Sequence, residues 1–183
     1  ACKGHDGQVG LFCVGDGETY NVPVEMAETR YGIRVDEHSL HTDGAGAGEY
    51  RGGSGAVRVY RSMNENQTFT ASFGRNKWPV WGAAGGKDGS VNYFQFIDAD
   101  GTVSEPMGIA ARRVMNTNDV VRMVTATGGG YGNPFKRPAE KVAMDVKNEY
   151  ITVEQAKADY GVLVDPETFK VIGLTEERQK AEK

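Results

Sequence analysis

A histidine beside a carboxylate, His5-Asp6, lies between Gly4 and Gly7, with Cys2 and Lys3 just before it. An imidazole titrates near neutrality and a neighbouring carboxylate can orient it, so the pair is a candidate acid–base unit; a polar loop is the plainer reading. Arg51 is the best single candidate for a functional cation. It follows Tyr50 and precedes Gly52-Gly53, where bare backbone lets the carboxylate or carbonyl of a ligand approach a guanidinium fork. The alternative is an arginine that ties its own loop to Asp43 or Glu49. His38, His41 and Asp43 are residue types that bind metals, but residues three apart on a strand point to opposite faces, and His41 with Asp43 makes only two ligands. Asp98-Ala99-Asp100-Gly101 resembles the opening of a calcium loop without its closing glutamate, so a hairpin turn is expected there. No serine stands in a nucleophile elbow, and no basic residue adjoins either cysteine except Lys3. His5, Asp6 and Arg51 are therefore the candidate site residues, with no metal set and no cofactor site assigned to this chain.

The run Asp43 to Arg61, DGAGAGEYRGGSGAVRVYR, is the densest glycine block in the chain. Such glycine marks backbone that takes positive φ or meets another group closely. A phosphate-cradling loop needs a helix after its glycines. AVRVYRSM follows instead, alternating and rich in β-branched residues, so a strand is expected and the block reads as a tight turn or bulge.

These residues sit in a chain of 183 residues that is 39% hydrophobic and 25% charged, the profile of an ordinary globular domain able to bury a core. The net charge of −4 argues against nucleic acid or an anionic membrane surface as partner. Cys2 and Cys13 give no disulfide framework, and no apolar run approaches the length needed to cross a bilayer, so a reducing, cytoplasmic setting is expected. The chain begins at Ala1 in what reads as mid-loop, as an excised or trimmed piece would.

In chain order, Gln8 to Gly15 reads as a buried strand and Asp16-Gly17 as a turn. Pro23 excludes a central strand position. Arg34 to His41 is a strand with Ile33, Val35 and Glu37 on one side, and Ala56 to Met63 with Gln67 to Phe73 is read as a hairpin closed by Asn64-Glu65-Asn66. Phe69, Ala71 and Phe73 face the core. Val91 to Asp98 turns back at Asp100-Gly101, and Val120 to Thr127 is the last strand. From Pro138 the period becomes helical, with Val142, Ala143, Val146 and Tyr150 on one stripe. A second helix starts at Thr152, whose capping box uses Gln155, and stops at Gly161. After Thr175 the tail is charged and helical or frayed. The expected fold is α+β, mainly antiparallel β-sheet with two or three short helices at the C-terminal end. Residues 1–137 form a glycine-rich, mainly β domain and 138–183 a helical segment packed on it.

The blocks GDGETYNVPVEMAETRYGIRV, DGAGAGEYRGGSGAVRVY, WGAAGGKDGS, NDVVRMVTATGGGYGNP and VKNEYITVEQAKADYGVLVD, in that order from about Gly7 to Asp165, resemble the C-terminal portion of the hydantoinase B/oxoprolinase family. Gly32 stands where that family usually has proline, and Asn133 replaces the aspartate of GGYGDP. The resemblance implies part of the B subunit of an ATP-dependent cyclic amide hydrolase, contributing framework and subunit contacts. The alternatives are the corresponding part of an acetone or acetophenone carboxylase subunit, or a non-catalytic assembly domain. It also implies an oligomer containing a hydantoinase A-type subunit and the remainder of the B subunit, a cyclic amide substrate, and ATP and a divalent metal bound elsewhere in the complete enzyme. The metal-binding residues of the family lie upstream of this region, so no catalytic residue is carried over and the isolated chain is expected to be inactive. The Trp78-Pro79-Val80-Trp81 run, beside Arg75 and Lys77, reads either as core or as a partner surface.

Overall fold

The protein's structure, a computed structural model, describes residues 1–9 and 22–181. The strand expected from Gln8 to Gly15 falls almost wholly outside these residues, as do the Asp16-Gly17 turn and Cys13.

Helix α1 (Val24–Tyr31) precedes strand β1 (Ile33–His41), and Gly32 between them takes φ +60° as the helix C-cap. Proline, fixed near φ −65°, cannot adopt that conformation. The helix itself is an addition to the expected fold. Val24, Ala27 and Tyr31 recur at helical spacing, but over eight polar-rich residues that signal is weak.

Strands β2 (Gly55–Ser62), β3 (Gln67–Ser72), β4 (Tyr93–Ile97), β5 (Ile109–Met115) and β6 (Val120–Val124) make two antiparallel sheets. One is four-stranded in the order β1-β2-β6-β4, and the other pairs β3 with β5. They pack face to face around Phe94, Phe96, Val121 and Met115, with Phe69, Ala71 and Phe73 against this cluster as expected. The Phe69 ring meets Phe94 and Phe96 edge-on at 5.6 and 5.4 Å, an arrangement that satisfies the ring quadrupoles.

Two expectations are corrected here. The segments Ala56 to Met63 and Gln67 to Phe73 are strands but do not form a hairpin. Both edges of β2 are taken, by β1 and β6, and β3 belongs to the other sheet. The Ser62 amide donates to Asp119 O (2.8 Å) and the Met63 amide to Gly32 O (2.9 Å), while Ser62 Oγ donates to Gln67 Oε1 (2.6 Å), so the turn crosses between sheets. On β1, Val35 pairs with Tyr60 and Glu37 with Val59, leaving Asp36 as a bulge. The extra residue puts Val35 and Glu37 on opposite faces.

The Asp98–Gly101 turn reverses the chain as expected: the Gly101 amide donates to Asp98 O, and Phe94 and Met107 exchange backbone bonds at 2.9 and 3.0 Å. Asn133, at the family's aspartate position, caps a 3-10 turn (Pro134–Lys136) by accepting from the Phe135 amide. Helix α2 (Ala139–Lys147) follows Pro138, which occupies the N-cap and not the first helical position. Helix α3 (Val153–Tyr160) carries the expected Thr152–Gln155 capping box and ends at Gly161, φ +64°. The strand expected from Val120 to Thr127 ends at Val124 and is not the last: a short hairpin of β7 (Val162–Val164) and β8 (Val171–Leu174) follows α3, and then α4 (Glu176–Ala181). Val142, Ala143, Val146, Ile151, Tyr160 and Val162 make a second core, which Ala47 of the glycine block enters. No helix among the described residues is long and apolar enough to cross a membrane.

The glycine segments 44–55, 82–89 and 128–132 are knitted together backbone to backbone. Gly46 donates to Gly128 O (2.9 Å), Gly128 to Gly53 O (2.8 Å), Gly130 to Lys87 O (2.9 Å) and Lys87 to Ala47 O (2.7 Å). Neither Gly52 nor Gly53 has positive φ. Their requirement is closeness: a Cβ on Gly52 would overlap the Gly128 carbonyl, and one on Gly53 the carbonyl of Gln8. Gly74, by contrast, has nothing near its Cβ position. Overpacking costs about 1–3 kcal/mol, so Gly52→Ala and Gly53→Ala should each lose at least that in denaturant unfolding. Gly74→Ala should be neutral or gain up to about 1 kcal/mol through the unfolded state. Equal effects at all three sites would mean that the block is not closely packed.

Candidate functional site

The expected candidates meet at one place, although not as a catalytic set. Asp6 lies against the glycine block, where its Oδ1 accepts from the Arg51 amide (2.7 Å) and from Arg137 Nη1 (2.7 Å), and its Oδ2 from Arg137 Nη2 (2.9 Å). Arg137 also donates through Nε to Asp145 Oδ2 (2.9 Å), with Nη2 in an ion pair with the same oxygen at 2.8 Å, and through Nη1 to Glu49 O at 3.0 Å. Arg51 Nε stands 3.5 Å from Asp145 Oδ1, an ion pair without hydrogen-bond geometry, and its guanidinium lies 4.2 Å from the Tyr150 ring centroid. Arg51, Asp145, Arg137 and Asp6 thus form an alternating chain of charges. Arg137 is only 2% exposed.

Arg51 is therefore turned inward, with Asp145, Tyr150 and the Gly52 carbonyl (2.9 Å from Nη1) as partners in place of Asp43 or Glu49, although its Nε makes no hydrogen bond. Asp43 accepts instead from Gln155 (3.4 Å). His5 is exposed and exchanges backbone bonds with Cys2 at 3.1 and 3.0 Å, so it does not share the ion pair that its part-buried neighbour Asp6 makes with Arg137. His41 Nδ1 contacts Thr125 O (2.9 Å), and His38 sits opposite Arg58 across the β1–β2 ladder. Cys2 is an exposed free thiol.

Burial works to raise the Asp6 carboxyl, but the hydrogen bonds and charge of Arg137, with the Arg51 amide and charge, outweigh it and hold Asp6 below the usual carboxylate range. At Asp145 burial dominates and pushes the carboxyl up, reinforced by Asp6 and opposed by Arg137 and Arg51. Burial also pushes the Tyr160 hydroxyl up to about 12. Chemically the quartet is closed. Its carboxylates are held by guanidinium groups and its tyrosine neighbour stays protonated, so it braces the fold and offers no nucleophile or base.

Nor do the residues fit the groups that the resemblance implies for the whole enzyme. A phosphate cradle needs free amide donors, whereas the amides of Gly46, Gly52, Gly86, Gly89, Gly128, Gly130 and Gly132 are bonded to carbonyls. Asp6 and Asp145 already serve arginines, and no group of three or more His, Cys, Asp or Glu among the described residues is placed to hold a metal. A cleft of about 780 Å3 is open, lined by Gly53, Ser54, Ala56, Arg58, Phe73 and Thr125 together with His38.

Arg137, Asp145, Arg58 and Ser54 were not among the residues singled out from sequence. For Asp145 a signal existed: it falls on the buried stripe of α2 beside Val142 and Val146, and a charge on a core face calls for a partner.

The two aspartates set opposite pH dependences. A depressed folded-state value, as at Asp6, gives stability that is present above the unfolded value of 3.8 and lost as pH falls through the lower folded value. Asp6→Asn should therefore be less stable than the parent at neutral pH, and the two stability curves should converge as pH drops below 3.8. Asp145→Asn leaves two buried guanidinium groups short of a carboxylate and should cost about 3–5 kcal/mol at neutral pH. Parallel curves for Asp6→Asn, or an unchanged midpoint for Asp145→Asn, would show that these charges are not coupled to folding.

The hydantoinase B/oxoprolinase family model matches residues 1–134. A putative D-/L-hydantoinase B-type subunit from a Pseudomonas species is 32% identical, over 80% of this chain and 25% of its own length. The beta chain of caprolactamase from Pseudomonas jessenii is 30% identical, over 78% of this chain and again 25% of its own length. Among solved structures, the ATP-dependent caprolactamase of Pseudomonas jessenii superposes with TM-score 0.68 and 29% identity, covering 87% of this chain and 27% of that one. Nucleotide-free acetone carboxylase superposes with TM-score 0.75 over 97% of this chain and 28% of that one, at 17% identity, and so shares the fold. This chain spans about a quarter of the length of these relatives. On the family model's span and the identity to these relatives, the chain belongs to the hydantoinase B/oxoprolinase family.

Proposed function

We propose that this chain works as the C-terminal part of the B subunit of a cytoplasmic, ATP-dependent cyclic amide hydrolase. Residues 1–137 supply the glycine-knit β framework and residues 138–183 the helical segment braced onto it. The observation that carries this reading is the likeness to the ATP-dependent caprolactamase, which combines 87% coverage of this chain with 29% identity. The likeness to acetone carboxylase is as complete in fold, but at 17% identity it does not speak for ketone chemistry.

Opening a lactam or imide ring requires an activated nucleophile and a means of stabilising charge on the amide oxygen. The described residues supply neither, which supports a division of labour in which this part holds shape, while the reacting groups come from the rest of the B subunit and from an A-type subunit. The purified 183-residue chain should therefore show no ATP-dependent opening of hydantoin, 5-oxoproline or caprolactam, whereas the full-length subunit with its A-type partner should. Turnover by the chain alone would overturn the proposal. Turnover of ketone with bicarbonate by the full complex, and not of cyclic amides, would move it to the carboxylases.

Trp78 and Trp81 are 79% and 69% exposed, with Arg75 over the Trp81 ring at 4.9 Å. Two open indoles beside a basic turn have the composition of an interface hot spot. We assign them to contact with the remainder of the B subunit. Both should be quenched readily by acrylamide in the isolated chain, and both should be shielded in the full-length subunit. Trp78→Ser should leave the melting temperature of the isolated chain unchanged. Equal quenching in the two forms would remove the assignment.

A further inference from the structure

Two recesses on one face of the four-stranded sheet meet at a single pair of side chains. The first is a cavity of about 360 Å3 walled by Val22, Val24, Ala27, Ile33 and Val35, with Tyr60. The second is the cleft along Gly53, Ser54 and Ala56. His38 and Arg58 line both, and they are direct partners across the β1–β2 ladder. The β3–β5 sheet covers this face around Met123 and Val121, and α1 approaches its other end, which leaves the Arg58 region between them as a recess.

Arg58 differs from the arginines of this fold that meet carboxylates. Arg34, Arg51, Arg61, Arg113 and Arg137 each meet a carboxylate. Arg58, half-buried, has the Tyr60 hydroxyl as its polar partner, at 3.1 Å, and no carboxylate among the described residues. A guanidinium carries five donors in a planar fork, so most of that fork is unused. Ser54, in the cleft wall, is 8% exposed, and its hydroxyl is buried without a hydrogen-bond partner among the described residues. Buried polar atoms without partners are uncommon in folded proteins and call for an explanation.

We propose that this junction binds the carboxylate of a small organic acid, held by the Arg58 fork with His38 beside it, and that the acid's hydrocarbon arm fills the Val22–Val35 cavity. A planar carboxylate matches the guanidinium fork in two parallel hydrogen bonds. The apolar walls favour a short alkyl arm, and the cavity's size falls within the usual range for small-ligand sites. The inference rests on the cyclic amide reading in one respect: adding water across a lactam C–N bond yields a carboxylate and an amine on one chain, so the ring-opened acid has the required chemistry. The site would then receive the product side of the reaction.

The test is a titration of the 15N-labelled 183-residue chain, followed by amide chemical shifts, with hexanoate, 6-aminohexanoate, hexanamide and acetate. Both longer acids should saturate a single site and move the amides of His38, Arg58 and Gly53 to Ala56. Hexanamide, the same shape without charge, should bind about tenfold more weakly or worse, and acetate should bind more weakly than hexanoate because it lacks the arm. Arg58→Gln should lose the same factor and Arg58→Lys should retain part of the affinity. Arg122→Gln removes an equal charge from the opposite face of β6 and should change nothing. Equal binding of hexanoate and hexanamide, or unchanged affinity in a folded Arg58→Gln, would overturn the proposal; if that variant does not fold, the two ligands on the parent chain decide. The titration involves neither ATP nor a partner, so its failure beside ring opening by the full complex would remove the site alone. An intact site beside a complex that opens no ring would remove the cyclic amide reading alone.

Discussion

Four charges in series, Arg51, Asp145, Arg137 and Asp6, are the constraint on which the rest of this structure depends, because three of the four are almost wholly buried and each answers the next. Buried ion pairs add little to stability compared with apolar packing, but losing one member leaves a charge with neither water nor counterion. The quartet therefore acts as a requirement for completeness. It draws Asp6 from the start of the chain, Arg51 from the glycine block, Arg137 from the turn before α2 and Asp145 from α2 itself. Arg178 of α4 extends the same brace by donating to the carbonyls of Arg137 (2.8 Å) and Tyr160 (2.9 Å). The C-terminal helices are thereby fixed to the glycine block by charge as well as by the Ala47 contact.

That requirement can be met only if backbones come close enough. The Arg51 amide reaches Asp6 because the Gly52-Gly53 segment lies against both Gly128 and Gln8 with no Cβ between them. The same closeness uses up the amides in carbonyl bonds. A glycine-rich sequence that looks like an anion cradle is, in three dimensions, a closely packed wall of backbone.

Local chemistry carried much of this in the sequence. The capping box at Thr152 and the glycine stop at Gly161 are decided within a few residues and appear as expected, as do Val142, Ala143 and Val146 on α2, whereas Tyr150, read onto the same stripe, lies beyond the helix end at Lys147. The alternation of β2 and β3 was equally legible, but their pairing was not: whether adjacent strands join depends on which distant strands occupy their edges, and β6 arrives some sixty residues after β2. The bulge at Asp36 was hidden for a related reason, since it exists only relative to the register of β2. Of the candidate site, sequence identified Asp6 and Arg51 as chemically unusual but supplied the wrong partners for Arg51. Those partners come from a turn and a helix about ninety residues away, and a side chain's role as brace or ligand contact is set by what it meets.

The alternation of β2 separates two kinds of demand on the sequence. Val57 and Val59 point into one core, while Ala56, Arg58 and Tyr60 line the recesses on the other face. A change at Arg58 need not disturb Val57 or Val59, and neither belongs to the charge quartet. That other face is shared between the recesses and the core between the sheets, where Tyr60 and Met123 pack with Phe94, Phe96 and Val121.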